Sequence, residues 1–383
     1  MITHWRRFPA DALEYFDRDE IERGRAYNRP IERLKAVRTT LTAAIAIAFI
    51  AGDVGPRVID SLGWRGWALN VLLVAAVFTM VDVVSSWWFD AHRELVWDRQ
   101  WELSTQTTSG FLADQAKNLV VGIVLNAVLL VPLWAVIRAT ELWWLWGWVL
   151  FSGFTVLFGL LYPVLIAPIF NKFTPLDDGS LRTRILEVAE RTGLPINEVL
   201  VADASRRSRA GNAYVAGLGK TRRVVVFDTI LDWPVDEIEQ VVAHELGHWR
   251  HSHLRRKLPV LIVTQLVMFL LTYLVLRWDW LLRAGGVESV RDPGALPIFL
   301  FVFPLGFVFV GAVTSWLSRV DERQADLYAL EILDDPDRFS ALFRRLADTN
   351  KADVDPGLLK RIMASHPPIP ERLAMASAWK AAS

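Results

Sequence analysis

Two histidines four residues apart, with a glutamate directly after the first, offer this chain its clearest chemistry. They lie in Gln240-Val-Val-Ala-His244-Glu245-Leu-Gly-His248. Ile238, Val241, Val242 and Trp249 recur around them at helical spacing. Pro234 falls in the first turn of the predicted helix, and Asp236 and Glu237 lie where the helix dipole favours negative charge. Positions i and i+4 stack on one helix face. His244 and His248 can therefore each present a ring nitrogen to one tetrahedral zinc ion, with Glu245 beside them to take a proton from a water on the metal. The alternative is a helix that carries two histidines by accident, a rare coincidence at this content of His and Glu.

Such a site needs a third ligand. Positions 251 and 254 hold His251 and Leu254, where one known continuation of the motif would have glycine and histidine, so the ligand must come from elsewhere. Ser318-Arg-Val-Asp-Glu322-Arg-Gln-Ala-Asp326 is the candidate segment. Glu322 and Asp326 are i and i+4, so one carboxylate can ligate while the other orients a ligand histidine through its free ring nitrogen. Arg319 can pair with either acid. Asp321 competes as ligand, but its side chain points about 100° away from that of Glu322. The plain alternative is a solvated helix with i,i+4 charge pairs. His251 and His253 are expected to be surface residues. His4 and His92 lie far upstream, and His366 stands in Ser365-His366-Pro-Pro-Ile-Pro-Glu371-Arg372, an extended proline turn.

Composition sets the surroundings. The chain has 383 residues, 53% of them hydrophobic, 18 tryptophans and no cysteine. Its mean hydropathy of +0.28 points to a membrane protein. Without cysteine, a zinc ion must be held by His and carboxylates. The formal net charge of zero argues against a nucleic-acid partner. The charged first 38 residues predict no cleavable leader, and they read as a solvated amphipathic helix on the cytoplasmic side.

Apolar runs follow at about Thr39 to Gly52, Trp67 to Phe89, Asn118 to Ile137, Leu142 to Phe170, Leu258 to Leu276 and Pro297 to Leu317. A spanning helix needs about 20 such residues, so five qualify and the first is marginal. This divides the chain into an N-terminal segment 1–38, membrane helices 39–170, a soluble segment 171–257 with the metal motif, membrane helices 258–317, and a soluble end 318–383. Trp64, Trp67, Trp87, Trp88, Trp143, Trp144, Trp278 and Trp280 form the aromatic belts of an embedded protein surrounded by lipid. Pro163 and Pro168 kink or end the fourth run, and Asp82 is an acid inside the second. Arg and Lys cluster before the first run and between Lys172 and Lys257. Six spans with both termini in the cytoplasm satisfy the positive-inside rule and put the metal motif on that side of the cell membrane. In the soluble segment, Leu181 to Thr192 reads as a helix. Val199-Leu-Val-Ala, Asn212 to Gly217 and Arg223 to Phe227 read as strands of a small sheet, whose edge could hold an extended peptide.

With these blocks together, the chain resembles the type 1 CAAX prenyl protease family of integral-membrane zinc metallopeptidases. The resemblance covers most of the chain. It rests on His244-Glu-Leu-Gly-His248, Ser318-Arg-x-x-Glu322-x-x-Ala-Asp326, Leu103-Ser-Thr-Gln-Thr, Asn171-Lys-Phe-Thr-Pro-Leu, Asn212-Ala-Tyr, Phe227-Asp-Thr and His366-Pro-Pro. It implies a mainly α membrane bundle around a water-filled chamber, with the metallopeptidase domain and its small sheet attached. It also implies His244, His248 and Glu322 as ligands of one zinc, Glu245 as base, Asn212 on a substrate-binding edge strand and His366 near the scissile carbonyl. The Trp- and Arg-rich, cysteine-free composition suggests a bacterial member. The expected function is a zinc metalloendopeptidase acting on peptides or membrane-associated proteins. The rivals are a zinc-stabilised scaffold without catalysis and a protease with its zinc deep in the bilayer.

Overall fold

A computed structural model of the protein describes residues 3, 6–63, 66–217 and 222–382, and of residues 62, 308 and 309 the backbone alone. Trp64 and His4 lie outside the described residues. In chain order the long helices are α1 (Arg18–Ala51), α2 (Trp67–Ala91), α3 (Thr108–Ala139), α4 (Trp143–Leu161), α5 (Ser180–Arg191), α6 (Val235–Arg250), α7 (His253–Val275), α8 (Leu296–Leu333), α9 (Pro336–Thr349) and α10 (Ile369–Lys380). Among the described residues, α1, α2, α3, α4 and α7 are each long and apolar enough to cross a membrane, α2 with its continuation to Gln100 and α4 with its continuation to Phe170. A sixth crossing exists if 293–307 and 310–333, which meet at 44°, count as one. The bend follows Pro304 and Gly306, the residue types that kink helices. The run that Pro163 and Pro168 interrupt does not stop. It widens to a π turn at Tyr162–Ile166 and resumes to Phe170.

The N-terminal segment is an amphipathic helix whose charged face is exposed and whose apolar face is covered by the protein itself. Asp17 and Glu20 form a reciprocal capping box that starts α1. Ile21, Gly24, Tyr27 and Ile31 then make a buried stripe hidden among charges. A Cβ on Gly24 would stand 2.4 Å from the carbonyl oxygen of Ala352, so only glycine allows the backbones this close. Asn28 Nδ2 donates to Lys351 O at 2.7 Å, and Arg25 pairs with Asp355. The chain enters the membrane already tied to its own C-terminal part. The marginal run from Thr39 is simply the second half of α1.

The sheet has the order β1-β2-β4-β3, with β1 Phe173–Pro175, β2 Glu198–Ala202, β3 Ala213–Ala216 and β4 Arg223–Phe227. β2 and β4 are parallel, and the outer pairs are antiparallel. Alternation sorts the side chains: Val199, Val224, Val226 and Ala213 join the core under α6, while Leu200, Ala202 and Val225 face Phe173 and Tyr214 on the other side. The same core takes Ile238, Val242 and Leu246 of α6, Leu330 of α8, Phe339 of α9 and Leu373 of α10. Each such side chain stabilises by about 1.5–3 kcal/mol on burial. β1 carries no strand signal of its own; it forms because Phe173 to Pro175 pair with Ala202 to Leu200.

A separate aromatic core lies in the bundle, where Phe299 stacks on Phe303 at 5.4 Å and Phe269 meets Phe303 edge-on at 4.9 Å. Trp143 belongs to this core. It is 3% exposed and edge-on to Tyr273, so it is not a belt residue. Trp87, Trp88, Trp278 and Trp280 are exposed, as a belt requires.

Candidate metal centre

Two helices make the site. α6 presents His244, Glu245 and His248, and the C-terminal part of α8 presents Glu322 and Asp326. They cross closely at Gly247, which faces the backbone of Ala325. Asp321 points elsewhere: its carboxylate meets Arg256 at 3.6 Å and Lys257 at 3.5 Å.

His244, His248 and Glu322 offer one ligand atom each, all within 4.8 Å of one another. His244 Nε2 is 3.2 Å from His248 Nε2 and 3.4 Å from Glu322 Oε2, and His248 Nε2 is 3.4 Å from Glu322 Oε1. The far side of the His244 ring donates from Nδ1 to Asp326 Oδ1 at 2.9 Å. That bond leaves the Nε2 lone pair aimed at the other two ligands. Asp326 is fully buried and accepts from Arg372 Nε at 2.8 Å and from Arg372 Nη2.

The donor set fits a metal. Among the described residues no donor reaches hydrogen-bond geometry with the buried Glu322 Oε2, and two imidazoles with one carboxylate are a ligand set zinc accepts. Burial pushes His244 down, yet the hydrogen bond to Asp326 and the negative charges of Asp326 and Glu322 outweigh burial and lift it to about 10. The carboxylates thus call for a cation where the ligand atoms converge. Burial raises Glu245 against the opposing pull of His244 and His248, towards the basicity of a working proton acceptor.

A cavity of about 510 Å³ opens beside the cluster, lined by Glu245, His248, Trp249, Val215 and Arg222. β3, an edge strand of the sheet, borders it through Val215, whose carbonyl oxygen lies 3.4 Å from Trp249 Nε1. Asn212 is exposed immediately before β3, and its carbonyl accepts the Phe227 N–H at 3.1 Å. His366 comes in from the C-terminal side, its Nε2 at 3.6 Å from Glu322 Oε2 and its Nδ1 at 2.8 Å from Ser365 Oγ.

Two sequence expectations are corrected here. Arg319 meets neither acid; it donates to the carbonyls of Ile362 at 2.8 Å and Ala364 at 2.5 Å, and so holds the turn that delivers His366. Asp326 is taken by Arg372 instead, a residue at the end of the proline turn, and no local signal marks the pair because the two lie 46 positions apart. His253 is not a surface residue: it is 2% exposed and its Nδ1 lies 2.8 Å from His248 Nδ1. Asp82 stays in α2, two turns before Asp90, which pairs with Arg38 of α1 at 2.7 Å.

A multi-pass helical bundle joined to a domain whose helices converge two histidines and a glutamate defines a membrane metalloendopeptidase. The chain belongs to peptidase family M48: that family's model matches residues 175–380, and the model described as the CAAX prenyl protease N-terminal region, five membrane helices, matches residues 1–172. It is 32% identical over 278 residues to the uncharacterized metalloprotease YhfN of Bacillus subtilis, across 71% of this chain and 65% of that protein, slightly under two thirds of its length. It is 30% identical over 323 residues to CAAX prenyl protease 1 of Saccharomyces cerevisiae, across 79% and 70% of the two chains. The crystal structure of S. mikatae Ste24p shares the fold, with a TM-score of 0.85 over 97% of this chain and 94% of that one at 23% identity.

Proposed function

We propose that this protein is a zinc endopeptidase of the cell membrane, with one zinc per chain and its cleft on the cytoplasmic face. The convergence of His244, His248 and Glu322, with a buried Glu322 oxygen that lacks a donor among the described residues, carries this reading. Zinc held by these residues supplies Lewis acidity, polarising the scissile carbonyl and making water a nucleophile near neutral pH.

The chain's own groups do the rest. Glu245 takes a proton from the attacking water and passes it to the leaving amine. Asp326, clamped by Arg372, keeps the His244 ring oriented. His366 stands where negative charge develops on the carbonyl oxygen and stabilises it. An extended peptide pairs with the edge of β3, with Asn212 at the start of that edge. The substrate class is peptides or membrane-associated proteins.

Two features favour this over its rivals. A purely structural zinc site has no use for Glu245, which is not among the converging ligands. Asp236, Glu237, Glu239, Arg250 and Arg255 flank the motif, and such a charge density belongs outside the hydrocarbon layer. The deciding comparison is Glu245→Gln, which should keep zinc and thermal stability while peptide cleavage falls by ~10²-fold or more. Full cleavage by that variant would rule the mechanism out.

A further inference from the structure

We propose that His253 is a positioning residue that fixes His248 in the tautomer a metal requires, through a hydrogen-bond relay anchored on Gln324 and Arg256. The inference rests on the zinc reading above. Ser252, with φ of 54°, turns the chain sharply between α6 and α7, and so folds the His253 ring back against that of His248. The two Nδ1 atoms are 2.8 Å apart. Two ring nitrogens at that distance share one proton, and the question is which ring owns it.

Arg256 answers it from the far end. Its Nη1 lies 2.9 Å from one side-chain atom of Gln324. A guanidinium only donates, so that atom is the amide oxygen Oε1. The Gln324 nitrogen then faces the other way and donates to His251 Nδ1 at 3.0 Å, which holds the amide on both sides. His253 Nε2 is 3.0 Å from the same Oε1 and must donate to it. A neutral imidazole with its proton on Nε2 has its lone pair on Nδ1. His253 therefore accepts, His248 Nδ1–H donates, and the His248 lone pair is left on Nε2. That nitrogen is the one facing His244 and Glu322. The charged groups around His253 are Asp321, 3.8 Å from its Nε2, and Arg256 and Lys257, which engage that same carboxylate. The two ligand histidines are thus oriented by different means: His244 directly by a carboxylate, His248 by an imidazole that an amide and a guanidinium hold in place.

The test is the zinc dissociation constant of the full-length protein in detergent, measured by competition with a chromophoric chelator, with melting of the zinc-free protein as the folding control. His253→Leu removes the acceptor and should weaken zinc by about 10–100-fold. His253→Asn brings an amide oxygen that can accept from His248 Nδ1, and should recover most of that loss. A merely structural role for the buried ring would leave Asn as poor as Leu, or poorer, and that result overturns the proposal. Gln324→Met releases the relay without touching either ring and should weaken zinc measurably; if His253→Leu does not fold, unchanged affinity in Gln324→Met is decisive against the relay. Wild-type protein that binds no zinc sinks the zinc reading and the relay together. Zinc-binding wild type with an equally tight His253→Leu sinks the relay alone.

Discussion

A methyl group on Gly247 would stand 3.1 Å from the Cα of Ala325 and 3.2 Å from its carbonyl oxygen. This approach of α6 to α8 sets how far Glu322 sits from the two histidines. Alanine in place of glycine inside a helix normally gains about 1 kcal/mol, but overpacking costs about 1–3 kcal/mol, and here the neighbour is backbone that cannot swing away. Gly247→Ala should lower both the melting temperature and the zinc occupancy. An unchanged zinc content by elemental analysis would mean that the crossing does not set the site.

Zinc should be present at about one per chain, and the two acids on α8 should differ sharply in what they do to it. Glu322→Ala removes a converging ligand. Asp321→Ala removes a carboxylate engaged by Arg256 and Lys257. Occupancy should collapse in the first variant and largely survive in the second. Equal losses would refute the ligand assignment.

Arg372 and Asp326 form a buried ion pair, the acid fully enclosed. Breaking one side of such a pair costs about 3–5 kcal/mol, because a charge is left buried alone. Arg372→Met should therefore be more destabilising than the double variant Arg372→Met/Asp326→Asn, although the double variant also loses its grip on the His244 ring. Denaturant unfolding of the four proteins of this cycle gives the coupling, and additive losses would contradict it.

His366 and Asn212 should separate chemistry from binding. His366→Ala should retain zinc and lower single-turnover cleavage more than it weakens peptide binding, since its contact forms in the transition state. Asn212→Ala should show the reverse pattern. If both variants lose binding alone, His366 has no part in the chemical step.

Orientation can be read with single cysteines, since the chain has none of its own. Cysteine at the exposed position Arg209 should resist an impermeant thiol reagent in intact cells, and cysteine at the exposed position Glu288 should label. Labelling of position 209 from outside would put the cleft on the other face of the membrane.

The histidine pair and its glutamate could be read directly from the order of residues, because i,i+4 spacing on one helix is local geometry. The same locality exposed Glu322 and Asp326 as a facing pair, the apolar runs of the bundle, and, among the described residues, every strand of the sheet except β1. Which acid turns towards the histidines needed the crossing of α6 and α8 at Gly247 and Ala325. Arg372 was invisible as the partner of Asp326, since nothing local links positions 46 apart, and Arg319 was drawn to backbone carbonyls that only the folded C-terminal turn supplies. His253 reads as a surface residue in the sequence, but the left-handed Ser252 turns it inward. β1 exists only through its pairing with β2, and the buried stripe of α1 only through the 351–355 segment it meets. Periodicity reports what a segment does with its own neighbours. The second layer of the metal site is built from groups far apart in the chain, and its geometry arises only when the helices close on one another.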